Sequence, residues 1–356
     1  MRRAPQLFFG TLLGLALAEG MFWYADGGAF AHLNLYVADP VLGVRLAPGG
    51  TERVRLGGGA VTSVRINAEG YRGADWGPAR ADEIVILGDS QVFGLGVEEH
   101  QTFSAVVAAR LGRPVRDAGV PTYGPPEYLA VLDELLAARA PKEVVLVVNF
   151  ANDVFELDTP NRDRHGVLDG WAVRREMAAG ARAFPGRGWL FSNSHLVLAI
   201  RRAWWTEGWG QGVGASADGW ARLVDAAATG GATGIDGKRF EDGLVAMRDR
   251  CEAAGAQLLV VALPLDVQVS ADEWAKYAPA APIDMAPTRA LLHDLVRTAT
   301  YAGIPALDAT AALVAAEPGA FLAGDLHLTP KGHAALAGAL AERLLPDWTA
   351  VEPGDW

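Results

Sequence analysis

The sequence predicts an α/β protein built on a doubly wound, mostly parallel five-stranded sheet, preceded by a short β-rich lead-in and interrupted by a helical, Trp-rich insertion. Three observations predict it. Continuous apolar, β-branched runs of strand length stand at Ile84–Leu87, Val144–Val148 and Leu258–Leu263, and strands buried on both faces read this way. Segments with helical spacing lie between and after them, at 103–111, 127–138, 240–254, 288–302 and 331–345, so strand and helix alternate as they do in parallel sheets with right-handed crossovers. Weaker runs near 115–118 and 306–308 bring the strands to five.

The elements follow in order. Arg2 and Arg3 precede an apolar run, Leu7–Leu17, and Ala16-Leu17-Ala18 offers small residues where a signal peptidase would cut. The apolar character resumes after Glu19 through Tyr24, so residues 1–25 read as a signal peptide or as a membrane anchor, with a buried core helix as the third reading. Either of the first two puts the bulk of the chain outside the cytoplasm, periplasmic or secreted, with membrane contact through this segment. No cysteine lies near the run, so lipid attachment is not supported.

The lead-in, 26–80, is rich in Gly and Pro from about Asp39 and carries short alternating pieces at 52–56 and 61–66. These predict half-exposed strands between turns, an appended antiparallel element without a core of its own. The sheet domain spans 81–346, with 159–238 inserted as a cap between the third and fourth strands, and 347–356 left as a tail. The insertion holds Trp171, Trp189, Trp204, Trp205, Trp209 and Trp220, six of the 11 tryptophans. They serve either as a ligand-facing cap or as the core of a small packed subdomain.

Composition excludes several classes. A net charge of −11 on 356 residues argues against a nucleic-acid partner, whose phosphates call for a basic face. A hydrophobic share of 51% with 21% charged residues excludes disorder as the main state. Cys251 alone excludes an internal disulfide and a Cys-rich zinc site. The scattered histidines show no metal-ligand spacing, and Gly88-Asp89-Ser90 is no dinucleotide turn, so neither metal nor cofactor is expected.

In such sheets ligands bind beyond the carboxyl ends of the strands. Gly88-Asp89-Ser90 follows the first strand directly and would present a nucleophilic hydroxyl; the bland reading is a strand-to-helix turn with Ser90 as its N-cap. A serine needs a base, usually an imidazole held by a carboxylate. Asp325 and His327 stand two apart just before the last helix, where Thr329 and Pro330 predict its cap and first position. His333 falls inside that helix and reads as structural. Oxyanion donors are sought at the remaining strand ends: Asn149-Phe150-Ala151-Asn152-Asp153 offers an amide, and the Gly-punctuated turn 117–124 offers a backbone N–H.

With these residues in view the chain resembles the SGNH/GDSL hydrolases over about 81–158 and 240–346. The resemblance implies a flavodoxin-like sheet. It implies Ser90 as nucleophile and oxyanion donor, Asn152 as side-chain donor, and His327 as base with Asp325 as orienter. Of the family's four motif blocks, which fall in this chain at 88–90, 117–124, 149–153 and 325–327, the second has Thr122 where the family has glycine, with Gly119 and Gly124 nearby, and which of them donates is left open. Phe150 replaces a glycine in the third block, and Asp325 lies two residues before His327 where the family has three.

Three functions follow. The first is an exported serine esterase acting on a small acyl ester or an acylated carbohydrate. The second is an O-acyltransferase that passes the same acyl group to envelope polysaccharide. The third is a non-catalytic carbohydrate-binding relative.

Overall fold

The computed structural model describes residues 3–57, 59–150, 152–182, 184–204, 237–277 and 283–345. Residues 205–236 of the insertion, with Trp205, Trp209 and Trp220, and the tail lie outside them.

An apolar helix, α1 (Arg3–Asp26), leads into two antiparallel hairpins: β1 (Tyr36–Asp39) with β2 (Gly43–Leu46), and β3 (Thr51–Val54) with β4 (Thr62–Arg65). The sheet domain then runs β5 (Ile84–Gly88), α2 (Ser90–Phe93), α3 (Phe103–Leu111), β6 (Val115–Gly119), α4 (Pro125–Arg139) and β7 (Glu143–Asn149). The insertion holds α5 (Asn161–Arg164), the hairpin β8 (His165–Leu168) with β9 (Trp171–Arg174), α6 (Arg175–Ala179), α7 (Arg187–Asn193) and α8 (His195–Trp204). The chain closes with α9 (Gly237–Ala253), β10 (Gln257–Leu263), α10 (Asp266–Val269), α11 (Ala286–Tyr301), β11 (Ala306–Asp308), α12 (Thr310–Ala316) and α13 (Pro330–Arg343).

The main sheet has the order β11-β10-β7-β5-β6, and every pairing in it is parallel. The sequence reading of a mostly parallel sheet is thereby sharpened to a wholly parallel one. Alternation sorts its side chains. Val85, Leu87, Val144, Leu146, Val260 and Ala262 meet α4, α9 and α11 on one face. Ile84, Ile86, Val145, Val147, Val261 and Leu263 meet α3, α12 and α13 on the other. Burial on both faces explains why these strands carry no polar alternation.

Chain order reverses between β5 and β7, since β5 leads to β6 on one side and the chain then crosses back to β7 on the other. That is the switch point where such sheets open a crevice.

The lead-in has no separate core. Leu33, Tyr36, Val44, Val54, Val64 and Trp76 join the cluster of the α4 face. The buried Arg72 donates to the carbonyls of Phe93 at 2.8 Å and Val97 at 2.5 Å and to that of Gly94, holding the end of α2. Tyr123 Oη donates to Val44 O at 2.8 Å. The first hairpin, β1–β2, carries no clear alternation in the sequence and was not among the predicted pieces. Its inward residues are instead selected by the sheet domain beneath.

The insertion is not purely helical, because β8–β9 forms a hairpin within it. Trp171 is buried edge-on against Phe30 at 5.6 Å, a packing role, whereas Trp189 is 71% exposed. The N-terminal helix is long and apolar enough to cross a membrane. Its Glu19 carboxylate accepts from Ser194 Oγ, His195 N and Leu196 N at 2.5–3.0 Å, satisfying free N–H groups where α8 begins.

Candidate active site

Three strand ends and the loop before α13 build the site. After β5 the chain turns at Asp89, which is the N-cap of α2: its Oδ1 accepts from Gln91 N at 2.8 Å. Ser90 therefore occupies the first helical position and not the cap. Its hydroxyl is left for other work, and its N–H has no hydrogen-bond partner among the described residues. Asp89 Oδ2 in turn accepts from Asn149 Nδ2 at 2.7 Å, tying the turn to the end of β7. Burial pushes the Asp89 carboxyl above the usual range against these hydrogen bonds.

The last loop comes from the far end of the chain. His327 Nε2 lies 2.8 Å from Ser90 Oγ, and its Nδ1 lies 2.5 Å from Asp325 Oδ1. The short Asp–His spacing is accommodated by a turn. Asp325 Oδ1 also accepts from His327 N at 3.0 Å, and Asp325 N donates to Leu322 O at 3.2 Å. One carboxylate oxygen thus faces both the backbone and the ring of a residue two positions on. Burial depresses His327, but the carboxylates of Asp325, Asp89 and Asp266 outweigh it and raise the ring above its ordinary value. Burial likewise opposes ionisation of Asp325, and the ring, its hydrogen bonds and Lys276 together hold that carboxyl below its usual range.

Two residues that sequence reasoning passed over pin this loop. Gln91 Nε2 donates to Leu326 O at 3.1 Å, and Gln91 Oε1 accepts from Leu328 N at 3.4 Å. Lys276 Nζ donates to Asp325 O at 2.9 Å and to Asp266 Oδ2 at 3.1 Å, and pairs with the Glu273 carboxylate. Gln91 follows the serine directly, so its place was visible and its partner was not. Lys276 gave no signal, because only folding brings the segment after β10 under the loop.

The donors were less legible. Gly119 N–H is engaged by Asp117 Oδ1 at 3.0 Å, and a Cβ at Gly119 would stand 2.3 Å from Phe93 N. Gly119 is a packing position whose N–H is already taken, contrary to its expected place among the oxyanion donors. Thr122 has φ of +85°, the left-handed region that a β-branched residue avoids. Its N–H has no partner among the described residues. That conformation gives a physical reason for glycine at this place in relatives. Asn152 Nδ2 stands 3.5 Å from Glu156 Oε2, and its Oδ1 is buried without a hydrogen-bond partner among the described residues. Phe150, 1% exposed, turns its ring into the core. Asp153 accepts from Asn149 N at 2.8 Å and from Tyr128 Oη at 3.0 Å. Burial, with Asp89 and Glu156 nearby, pushes its carboxyl well above the usual range.

His333 lies inside α13, as predicted, with Thr329 capping the helix through Gly332 N at 3.2 Å and Pro330 at its first position. His333 Nδ1 accepts from Phe103 N at 3.1 Å and the ring stacks on Phe103.

A serine turn, an imidazole joined to it and a carboxylate on that ring thus meet beyond the end of β5, with the Thr122 and Asn152 turns after the two neighbouring strands, β6 and β7. A family model described as the SGNH hydrolase-like domain of acetyltransferase AlgX matches residues 236–354, about a third of the chain. Over that third the chain is similar to an SGNH hydrolase-like domain, in keeping with the SGNH/GDSL resemblance of its sequence. Solved structures similar to this chain include the lipase/acylhydrolase from Enterococcus faecalis, at 14% identity over 74% of this chain and 95% of that one, with a TM-score of 0.41. Another is a catalytic mutant of an acetylxylan esterase from Geobacillus stearothermophilus, at 13% identity, 75% and 95% coverage and a TM-score of 0.41. A third, a member of the lipolytic protein G-D-S-L family from Veillonella parvula, gives 12% identity, 74% and 97% coverage and a TM-score of 0.38. No curated protein sequence matches the chain.

Proposed function

We propose that this protein is an exported serine enzyme of acyl-ester chemistry, acting on a small acyl ester or an acylated carbohydrate. The observation that carries the reading is the hydrogen-bonded relay Ser90–His327–Asp325. Ser90 Oγ attacks the acyl carbonyl while His327 Nε2 takes its proton, and Asp325 holds the ring in the tautomer with a proton on Nδ1. The N–H groups of Ser90 and Thr122 and the Asn152 amide stabilise the oxyanion. Collapse returns the proton from His327 to the leaving alcohol. Water, deprotonated by the same imidazole, then attacks the acyl-enzyme, and Ser90 leaves with the proton.

The raised His327 suits this cycle, because an imidazolium beside Asp325 is what forms after the first proton transfer. The apolar α1 supports an exported or membrane-held protein. Labelling by a fluorophosphonate probe tests the reading: the wild type takes the label and Ser90→Ala does not. A folded wild type that stays unlabelled overturns it and leaves the non-catalytic carbohydrate binder.

The family match to an acetyltransferase domain favours a second reading, in which a sugar hydroxyl of envelope polysaccharide replaces water as the acceptor. Hydrolysis of a chromogenic acetyl ester, with and without an oligosaccharide acceptor, separates the two. Acyl groups recovered on the acceptor support transfer, and undiminished release of free acid supports hydrolysis.

A further inference from the structure

Arg164, the last residue of α5 in the insertion, reaches back into the site. Its Nη2 donates to Thr122 O at 3.0 Å, its Nη1 pairs with Glu156 Oε1 at 2.6 Å, and its Nε donates to Thr159 O at 2.9 Å. Glu127 Oε2 stands 3.6 Å from Nη2 and itself accepts from Gly124 N at 3.2 Å. The side chain is 16% exposed, and its fork spans two carboxylates and two carbonyls. No feature of the sequence marks this residue. It lies in the inserted segment, outside the strand-end turns and the 325–327 loop that the sequence singles out.

Thr122 explains the need for it. A left-handed φ costs a β-branched residue on the order of 1–3 kcal/mol, so the conformation persists only where the surroundings impose it. A glycine would hold it without help. If Thr122 relaxed to a negative φ, its peptide plane would rotate and its N–H would no longer face the same way.

We propose that Arg164 is a positioning residue that holds Thr122 in the left-handed conformation and so keeps its N–H aimed at the acyl oxygen, substituting for the glycine that relatives carry. Glu156 and Glu127 fix the guanidinium, and the guanidinium fixes the carbonyl of Thr122. The inference rests on the acyl-enzyme reading above. It adds that the insertion completes the oxyanion site instead of merely covering it.

The test is steady-state hydrolysis of a chromogenic acetyl ester and the rate of fluorophosphonate labelling, on the full chain. Arg164→Lys keeps a positive charge beside both glutamates but loses the planar fork, and Arg164→Met removes both. Misaligning one oxyanion donor is expected to lower kcat and the labelling rate by about 10–100-fold with KM within about two-fold. In a Thr122→Gly background the same Arg164→Lys change costs less than about three-fold, because glycine needs no restraint. A purely structural Arg164 would lower the melting temperature without this coupling. Equal losses in the two backgrounds, or an unchanged kcat in folded Arg164→Lys, overturn the proposal while leaving the acyl-enzyme reading intact. A wild type with neither label nor turnover overturns both.

Discussion

His327 and His333 stand six residues apart in one short segment, and the protein treats them in opposite ways. His327 sits on a loop with Asp325 at 2.5 Å and two further carboxylates near, and its ring is held above the ordinary imidazole value. His333 sits in the next helix, buried against Phe103, with Arg72 and His327 as its charged neighbours, and is driven down to about 3. Both are enclosed. The sign of the shift follows from whether carboxylates accompany the ring, which separates an imidazole that holds a proton more readily from a neutral acceptor that completes a helix N-terminus.

Breaking each side of that contrast gives distinct outcomes. The largest is expected for His327→Ala, which should lower kcat by roughly 10⁴-fold or more while leaving the melting temperature within a few degrees, as ester turnover and thermal unfolding would show. Asp325→Asn comes next, with a loss of roughly 10²–10⁴-fold. Retention of full activity in that variant would mean that the carboxylate does not orient the ring.

His333→Leu should invert the pattern. It leaves Phe103 N–H buried without its acceptor and should cost about 1–3 kcal/mol in chemical denaturation, with kcat changed by less than about three-fold.

Two smaller effects concern pH. Since His327 must be neutral to act as base and its value is raised, the acidic limb of kcat/KM is expected above about 6.5, and Asp325→Asn should move that limb down. For His333 the sign is opposite. A ring lowered in the folded state contributes stability that is complete above about 6.5 and is lost as pH falls towards the folded value near 3. Wild type should therefore lose stability on acidification over that window more steeply than His333→Leu, as urea midpoints at pH 7 and pH 5 would reveal.

The legible part of the molecule was the part whose signal is local. β11 matches its predicted bounds, and the other sheet strands extend them by one or two residues; in β5, β7 and β10 burial on both faces writes itself as an unbroken apolar run, whereas the edge strands β6 and β11 carry a weaker signal. The nucleophile turn and the capped last helix were likewise readable. β1–β2 was not, since its inward residues are chosen by what lies beneath them. Gly119 was misread for the same reason: a glycine required by contact with Phe93 looks in sequence like one required by a ligand.

By itself the sequence determined the α/β alternation, the order of the four blocks and the residue types able to do acyl chemistry, because periodicity and strand-end position depend on neighbours a few residues away. Only the tertiary structure decided that His327 meets Ser90 across 237 positions, that two histidines six residues apart shift in opposite directions, and that Arg164 grips Thr122. Each of those depends on burial and on charges brought together by long-range packing, and neither quantity is a property of any short stretch of chain.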